Sequence, residues 1–185
     1  MTNRYIGFIP NLLSSLRLLL AVLFPFFPAA YWFWLIVIAG CSDILDGWLA
    51  RRWQVQSWLG GIMDAVADKL FVLVALLTLA SSGRFSFWWV PLLVMRDILV
   101  AFTAIYAVCI RSWKSFKKME ARWSGKTATA AQFTVLLTLS LTTVGMAPIL
   151  WAATLLSCVA ACDYGWLFIL ELQQRAADKT VVPKK

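Results

Sequence analysis

The sequence predicts an all-α integral membrane protein with six transmembrane helices, forming one domain over residues 1–185. Three observations carry this. Of the 185 residues 62% are hydrophobic, more apolar surface than a soluble core of this size can enclose. Six apolar runs follow one another, each close to the roughly 20 residues a helix needs to cross a bilayer. The basic residues, finally, fall in alternate loops rather than evenly along the chain.

The first run, near 9–28, begins behind Arg4 and shows no small-residue cleavage site before Pro25, so it reads as a span and not as a cleaved leader. The second and third, near 31–50 and 58–81, are joined by a short linker, which predicts antiparallel neighbours. The fourth, near 86–110, carries Arg96-Asp97 close to its middle. The fifth and sixth, near 128–147 and 148–171, are separated by Gly145 and Pro148. From Gln173 to Lys185 the chain is polar and basic, and it reads as a partly disordered topology anchor.

Six spans put both termini on one side, and charge selects the side. The terminal-side loops hold Arg4, Arg51, Arg52, Arg111, Lys114, Lys117, Lys118, Arg122, Lys126, Arg175, Lys179, Lys184 and Lys185, thirteen cations against Arg84 alone on the other side. Both termini are therefore expected in the cytoplasm, with the protein integral to the inner membrane. Tyr31, Trp32, Trp34, Trp88, Trp89, Trp113, Trp123 and Trp151 lie near the ends of the runs, where interface anchors belong. The basic residues of 114–122 read as headgroup contacts and topology determinants, with no nucleic acid expected as a partner. Histidine is absent, which excludes imidazole-based metal sites and a histidine base. Cys41, Cys109, Cys158 and Cys162 lie in apolar runs and read as small packing residues.

Chemistry concentrates in the second and third runs. Asp43 and Asp46 are three apart and Asp64 and Asp68 four apart, so each pair shares a face of its helix. Acids at membrane depth face a partner or a wet cavity. Arg51, Arg52 and Lys69 on the same two helices leave at least one carboxylate over, so a purely salt-bridged reading falls short and the cluster asks for metal. By topology the site lies in the cytoplasmic half, between helices 2 and 3.

The string Asp43-x-x-Asp46-Gly47-x-x-Ala50-Arg51, eight residues, Gly60, three residues, Asp64, three residues, Asp68 resembles the signature of the CDP-alcohol phosphotransferase family at every position. Pro10-Asn11-Leu12 with Arg17, Gly125-Lys126 with Thr129 and Gln132, and Asp163-Tyr164 are similar to elements of its bacterial phospholipid-synthase branch. The resemblance implies a membrane enzyme that moves a phosphatidyl group from CDP-diacylglycerol to an alcohol and releases CMP. The donor's pyrophosphate cannot approach four carboxylates without cations. Hard oxygen ligands suit two ions of Mg²⁺ or Mn²⁺. By resemblance Asp43, Asp46 and Asp64 are metal ligands, and Asp68 both touches metal and acts as general base. Gly47, Ala50 and Gly60 leave room for a nucleotide, although small residues also serve helix packing. Arg51 is shaped to hold phosphate or lock an aspartate.

On the acceptor side, Arg96, Arg111 and Lys126 are the candidates for binding an anionic alcohol. The resemblance favours glycerol 3-phosphate. Against it, that branch commonly has Arg-Glu in the fourth helix and a second arginine two turns on, whereas this chain has Arg96-Asp97 and then Arg111. The departure makes a cardiolipin-forming reaction with phosphatidylglycerol the second choice. A non-catalytic scaffold or ion-pathway protein stands as the different class, and the complete signature argues against it. Membrane lipids are expected partners, and a homodimer is compatible with the reading.

Overall fold

Prolines punctuate the first helices. The computed structural model describes residues 8–53, 58–109, 123–142 and 145–181, and among these it holds six α-helices and no strand. Helix α1, Phe8–Leu23, stops ahead of Pro25, whose ring removes a helix N–H and disfavours helical geometry in the residue before it. One 3₁₀ turn follows, Phe24–Phe26. Helix α2, Ala29–Trp53, starts directly after Pro28, whose carbonyl accepts from the Tyr31 N–H at 2.9 Å. Helices α3 (Trp58–Ser81), α4 (Trp89–Cys109), α5 (Trp123–Leu141) and α6 (Ala147–Val181) complete the set.

Each predicted run corresponds to one helix, with boundaries shifted by a few residues. The C-terminus differs most. Helix α6 continues to Val181, well into the stretch expected to be partly disordered, because residues 171–181 are mostly good helix formers with no Gly or Pro before Pro183. Ala29–Asp46 and Ala147–Leu170 are long and apolar enough to cross a membrane, and Leu12–Phe26 and Thr127–Leu141 are shorter apolar stretches. The apolar sequence of α3 is interrupted in its first half by Asp64, Asp68 and Lys69.

The helices group into two compact units. The first comprises residues 1–90 and 132–148. Here α1 packs on both α2 and α3, while α2 and α3 touch each other little. That corrects the expectation of two directly paired acidic helices, because α1 supplies the common surface. Phe24, fully buried, stacks on Trp32 of α2 at 5.9 Å and meets Phe71 of α3 edge-on at 5.8 Å. Aromatic pairs in these arrangements add to area burial. Close approach matters at Gly40, where a Cβ would come within 3.3 Å of the Phe133 ring.

At the far end of α3, Gly83 adopts φ +78°. Its N–H donates to Ala80 O at 3.0 Å and that of Arg84 to Leu79 O at 3.2 Å, the paired pattern of a glycine-terminated helix. Arg84 then donates from Nη1 to the carbonyls of Leu139 (2.6 Å) and Ser140 (3.0 Å), and its guanidinium lies 5.2 Å from the Trp32 ring centroid. Those carbonyls belong to the last turn of α5, which has no intrahelical donors for them and carries the negative end of the helix dipole.

The second unit comprises residues 91–131 and 149–185. Helix α6 buries Ala153, Thr154, Ser157, Ala160, Ala161 and Tyr164 and exposes Trp151, Leu155, Val159, Cys162 and Trp166. Small and polar residues face inward and large apolar ones outward, at helical spacing. Ser157 Oγ donates to Leu93 O of α4 at 3.1 Å, a close approach that small side chains permit. Charges are buried elsewhere too, at Arg17, Asp46, Asp68, Arg96 and Asp97, while Ile44, Trp34, Leu12 and Phe102 lie outside. A soluble protein places these groups the other way round.

Candidate active site

A charge on α1 organises the acids of α2 and α3. Ser14 and Arg17 are three apart and share a face of α1. The Arg17 Nη1 lies 3.0 Å from Asp43 Oδ1 and donates to Asp64 Oδ1 at 2.9 Å. Its Nη2 donates to Asp46 Oδ2 at 2.7 Å. Ser14 Oγ reaches Asp64 Oδ1 at 3.5 Å, the long limit of a hydrogen bond. These are charge-assisted contacts, the strong class of hydrogen bond.

The cluster is closed on one side and open on the other. Arg17 has no exposed surface and Asp46 is 2% exposed, while the Asp43 and Asp64 side chains remain 33% and 37% accessible. One carboxylate oxygen from each of Asp43, Asp46 and Asp64 lies within 4.8 Å of the others. Three negative charges against one positive leave a net −2 (1 − 3), a repulsive excess where water is scarce. Among the described residues, Asp46 Oδ1 is buried with no hydrogen-bond partner. Convergent hard oxygens, surplus negative charge and an orphaned ligand atom fit Mg²⁺ or Mn²⁺.

Three of the four sequence-predicted acids lie within 4.8 Å of one another. Asp43, Asp46 and Asp64 converge, whereas Asp68 stands outside them, with its Oδ2 3.5 Å from Lys69 Nζ and its Oδ1 buried without a partner among the described residues. One helical turn separates Asp68 from Asp64, so the shared face of α3 does not by itself put both carboxylates on the same spot. A purely salt-bridged reading through Arg51, Arg52 and Lys69 falls short here too, since of these Lys69 pairs with Asp68. Arg52 stacks 5.0 Å from the Trp48 ring instead, and the neutralising residue is Arg17. In the sequence, Arg17 stands out only within an element of the family resemblance. The available signal was a lone arginine inside the apolar run 12–26, where a charge demands a partner.

Gly47, Ala50 and Arg51 lie on the last turns of α2 and Gly60 on the first turn of α3. The side chains of Ala50 and Arg51 are outside the described residues. Arg111 is outside them entirely, and Lys126 lies on α5 with its side chain outside them.

In the second unit, Arg96 is 7% exposed. Its Nη1 donates to Thr129 Oγ1 at 2.8 Å and lies 3.2 Å from Asp97 Oδ1, and its guanidinium is 5.9 Å from the Tyr164 ring centroid. The sequence leaves open whether adjacent residues on one helix turn away from each other, and here they pair. The Thr129 and Tyr164 of two separately noted elements meet at the same guanidinium.

Comparison with known proteins places these features. Residues 7–161 match the CDP-alcohol phosphatidyltransferase family. Over 147 residues the chain is 31% identical to the CDP-diacylglycerol--glycerol-3-phosphate 3-phosphatidyltransferase of Sodalis glossinidius, covering 70% of this chain and 76% of that one. The protein of the same name from Blochmanniella floridana is 32% identical over 143 residues, with coverage of 70% and 73%. That of Cereibacter sphaeroides is 38% identical over 104 residues, with coverage of 50% and 47%. The match takes in the helices that carry Arg17 and all four aspartates, and the chain belongs to the CDP-alcohol phosphatidyltransferase family.

Proposed function

We propose that the protein transfers a phosphatidyl group from CDP-diacylglycerol to glycerol 3-phosphate, giving phosphatidylglycerophosphate and CMP. The observation that carries this reading is the convergence of Asp43, Asp46 and Asp64 within 4.8 Å, in a family member whose relatives are named for that reaction. Asp43, Asp46 and Asp64 would hold the divalent metal, Mg²⁺ or Mn²⁺, which supplies Lewis-acid polarisation of the phosphate oxygens and offsets their charge.

The chain's own groups do the rest. Asp68, whose Oδ1 is buried and unpartnered among the described residues, takes the proton of the acceptor hydroxyl. A P–O bond forms to that oxygen as the P–O bond to CMP breaks, and CMP leaves with the electron pair. Gly47, Ala50 and Gly60 leave space beside the backbone for the nucleotide, and Arg51 holds phosphate bidentately. Arg111 and Lys126 carry the charge of the acceptor, joined by Arg96 through the guanidinium nitrogens that Thr129 and Asp97 do not occupy. Six spans with both termini in the cytoplasm follow from the thirteen-to-one charge bias, and the outward apolar stripe of α6 supports a lipid surround.

The test is a panel of alcohols offered to purified protein with labelled CDP-diacylglycerol. Glycerol 3-phosphate should be consumed and CMP released with Mg²⁺ or Mn²⁺, and both should cease with excess chelator. Full activity in chelator overturns the metal assignment. Cardiolipin made from phosphatidylglycerol would instead favour the second reading, to which Arg96-Asp97 points.

A further inference from the structure

Arg17 has no role in the reaction as written, yet it holds every acid of the triad. Its Nη1 serves Asp43 Oδ1 and Asp64 Oδ1 together, and its Nη2 serves Asp46 Oδ2. Each carboxylate thus commits one of its two oxygens to Arg17. A monovalent guanidinium and a divalent ion sharing those carboxylates would sit within a few ångströms of each other, in surroundings that screen their repulsion poorly. The arrangement also leaves hydrogen-bonding capacity unmet on both partners, because Arg17 Nε and Asp46 Oδ1 are both buried with no partner among the described residues. Buried polar atoms are ordinarily satisfied, and a bound ion or ligand is one way to satisfy those left over. The one-third exposure of Asp43 and Asp64 gives a cation a way in.

We propose that Arg17 is the resident counter-cation of the acid triad, which divalent metal displaces, and that the released guanidinium then holds the phosphates of the nucleotide-lipid donor. The first half concerns the triad alone. The second rests on the donor proposed above, and its chemistry is that of a planar, permanently charged fork matched to two phosphate oxygens. One side chain thereby serves two states. It keeps three carboxylates together when they lack metal, and it becomes an anion-binding group once they have it.

The exchange is read with Mn²⁺ alone, without lipid substrate, on the purified full chain in detergent. Arg17→Met keeps the length and removes the charge. It should bind Mn²⁺ about ten- to a hundredfold more tightly than wild type, the range expected when one competing charge-assisted contact is removed. Its unfolding midpoint without metal should fall below wild type, and saturating Mn²⁺ should restore it. If Arg17 merely positions the acids, the same variant binds Mn²⁺ equally or more weakly, and the exchange is overturned. Should Arg17→Met fail to fold, ¹⁵N-arginine spectra of wild type provide the measurement, with the Arg17 signal assigned by its loss in Arg17→Lys. Saturating Mg²⁺ should shift that signal, and a signal left in place overturns the exchange. With Mn²⁺ saturating, Arg17→Met should bind CDP-diacylglycerol roughly tenfold more weakly, and unchanged affinity overturns the phosphate half. Wild type that releases no CMP would remove the reaction assignment and leave the Mn²⁺ comparison standing.

Discussion

A guanidinium with no exposed surface is tolerated only where neighbouring carboxylates return its charge, and Arg17 has three of them within 3.0 Å. The same rule separates Asp68 from the triad. Its only ion-pair partner among the described residues is Lys69 at 3.5 Å, and its inner oxygen has none. A carboxylate held this loosely suits the role of base proposed for it, whereas Asp64 pairs with Arg17. Asp68→Asn should therefore lower the rate of CMP release by about 10²- to 10⁴-fold while leaving CDP-diacylglycerol binding largely intact, since an amide cannot take the proton. Asp64→Asn should lose binding and turnover together. Near wild-type turnover by Asp68→Asn would mean that another group is the base. The pairing of the two aspartates on α3 was legible as a four-residue spacing, but their different partners were not, because partners come from other helices.

Elements in the first unit are held at two places, and both follow from local chemistry. At one, Pro25 ends α1 and the following turn drives Phe24 between Trp32 and Phe71. At the other, Gly83 ends α3 and delivers Arg84 to the last carbonyls of α5. Phe24 lies at the junction of α1, α2 and α3, the helices that carry the acids and Arg17. Phe24→Ala should lower stability by about 3–5 kcal/mol, the usual effect of deleting a buried phenyl ring, and calorimetry in detergent reads this as a lower unfolding midpoint. A midpoint within a degree of wild type would show that the aromatic cluster contributes nothing. The helix ends were largely legible, since proline and glycine act on their own backbone. The continuation of α6 to Val181 was not, because polarity suggests solvent exposure without deciding between helix and disorder.

Taken whole, the chain places charges inside and large apolar residues outside, with Arg17, Asp46, Arg96 and Asp97 buried and Trp34, Phe102, Leu155 and Trp166 exposed. Exposed apolar residues in this number fit an environment of lipid or partner protein. The loop charges predict both termini in the cytoplasm, which a labelling experiment reads directly. A cysteine placed by Lys184→Cys should react with a membrane-impermeant maleimide only in inside-out vesicles, and one placed by Ser82→Cys only in right-side-out vesicles. The reverse pattern would overturn the orientation, and reaction of both in the same vesicles would overturn the odd number of spans, three, assigned between Ser82 and Lys184.

Sequence alone determined what depends on near neighbours along the chain. The helical class, the proline and glycine breaks and the spacing of Asp43 to Asp46 and Asp64 to Asp68 all arise within a few residues of one another. Only the tertiary structure decided which groups far apart in sequence share a site. It brought Arg17 across 26 and 47 residues to Asp43 and Asp64, left Asp68 out of the triad, and joined Arg96 to Thr129 and Tyr164. The physical reason is that a buried charge must find its opposite wherever the packing of helices places one, and a helical period specifies the face of a residue without naming what will lie against it.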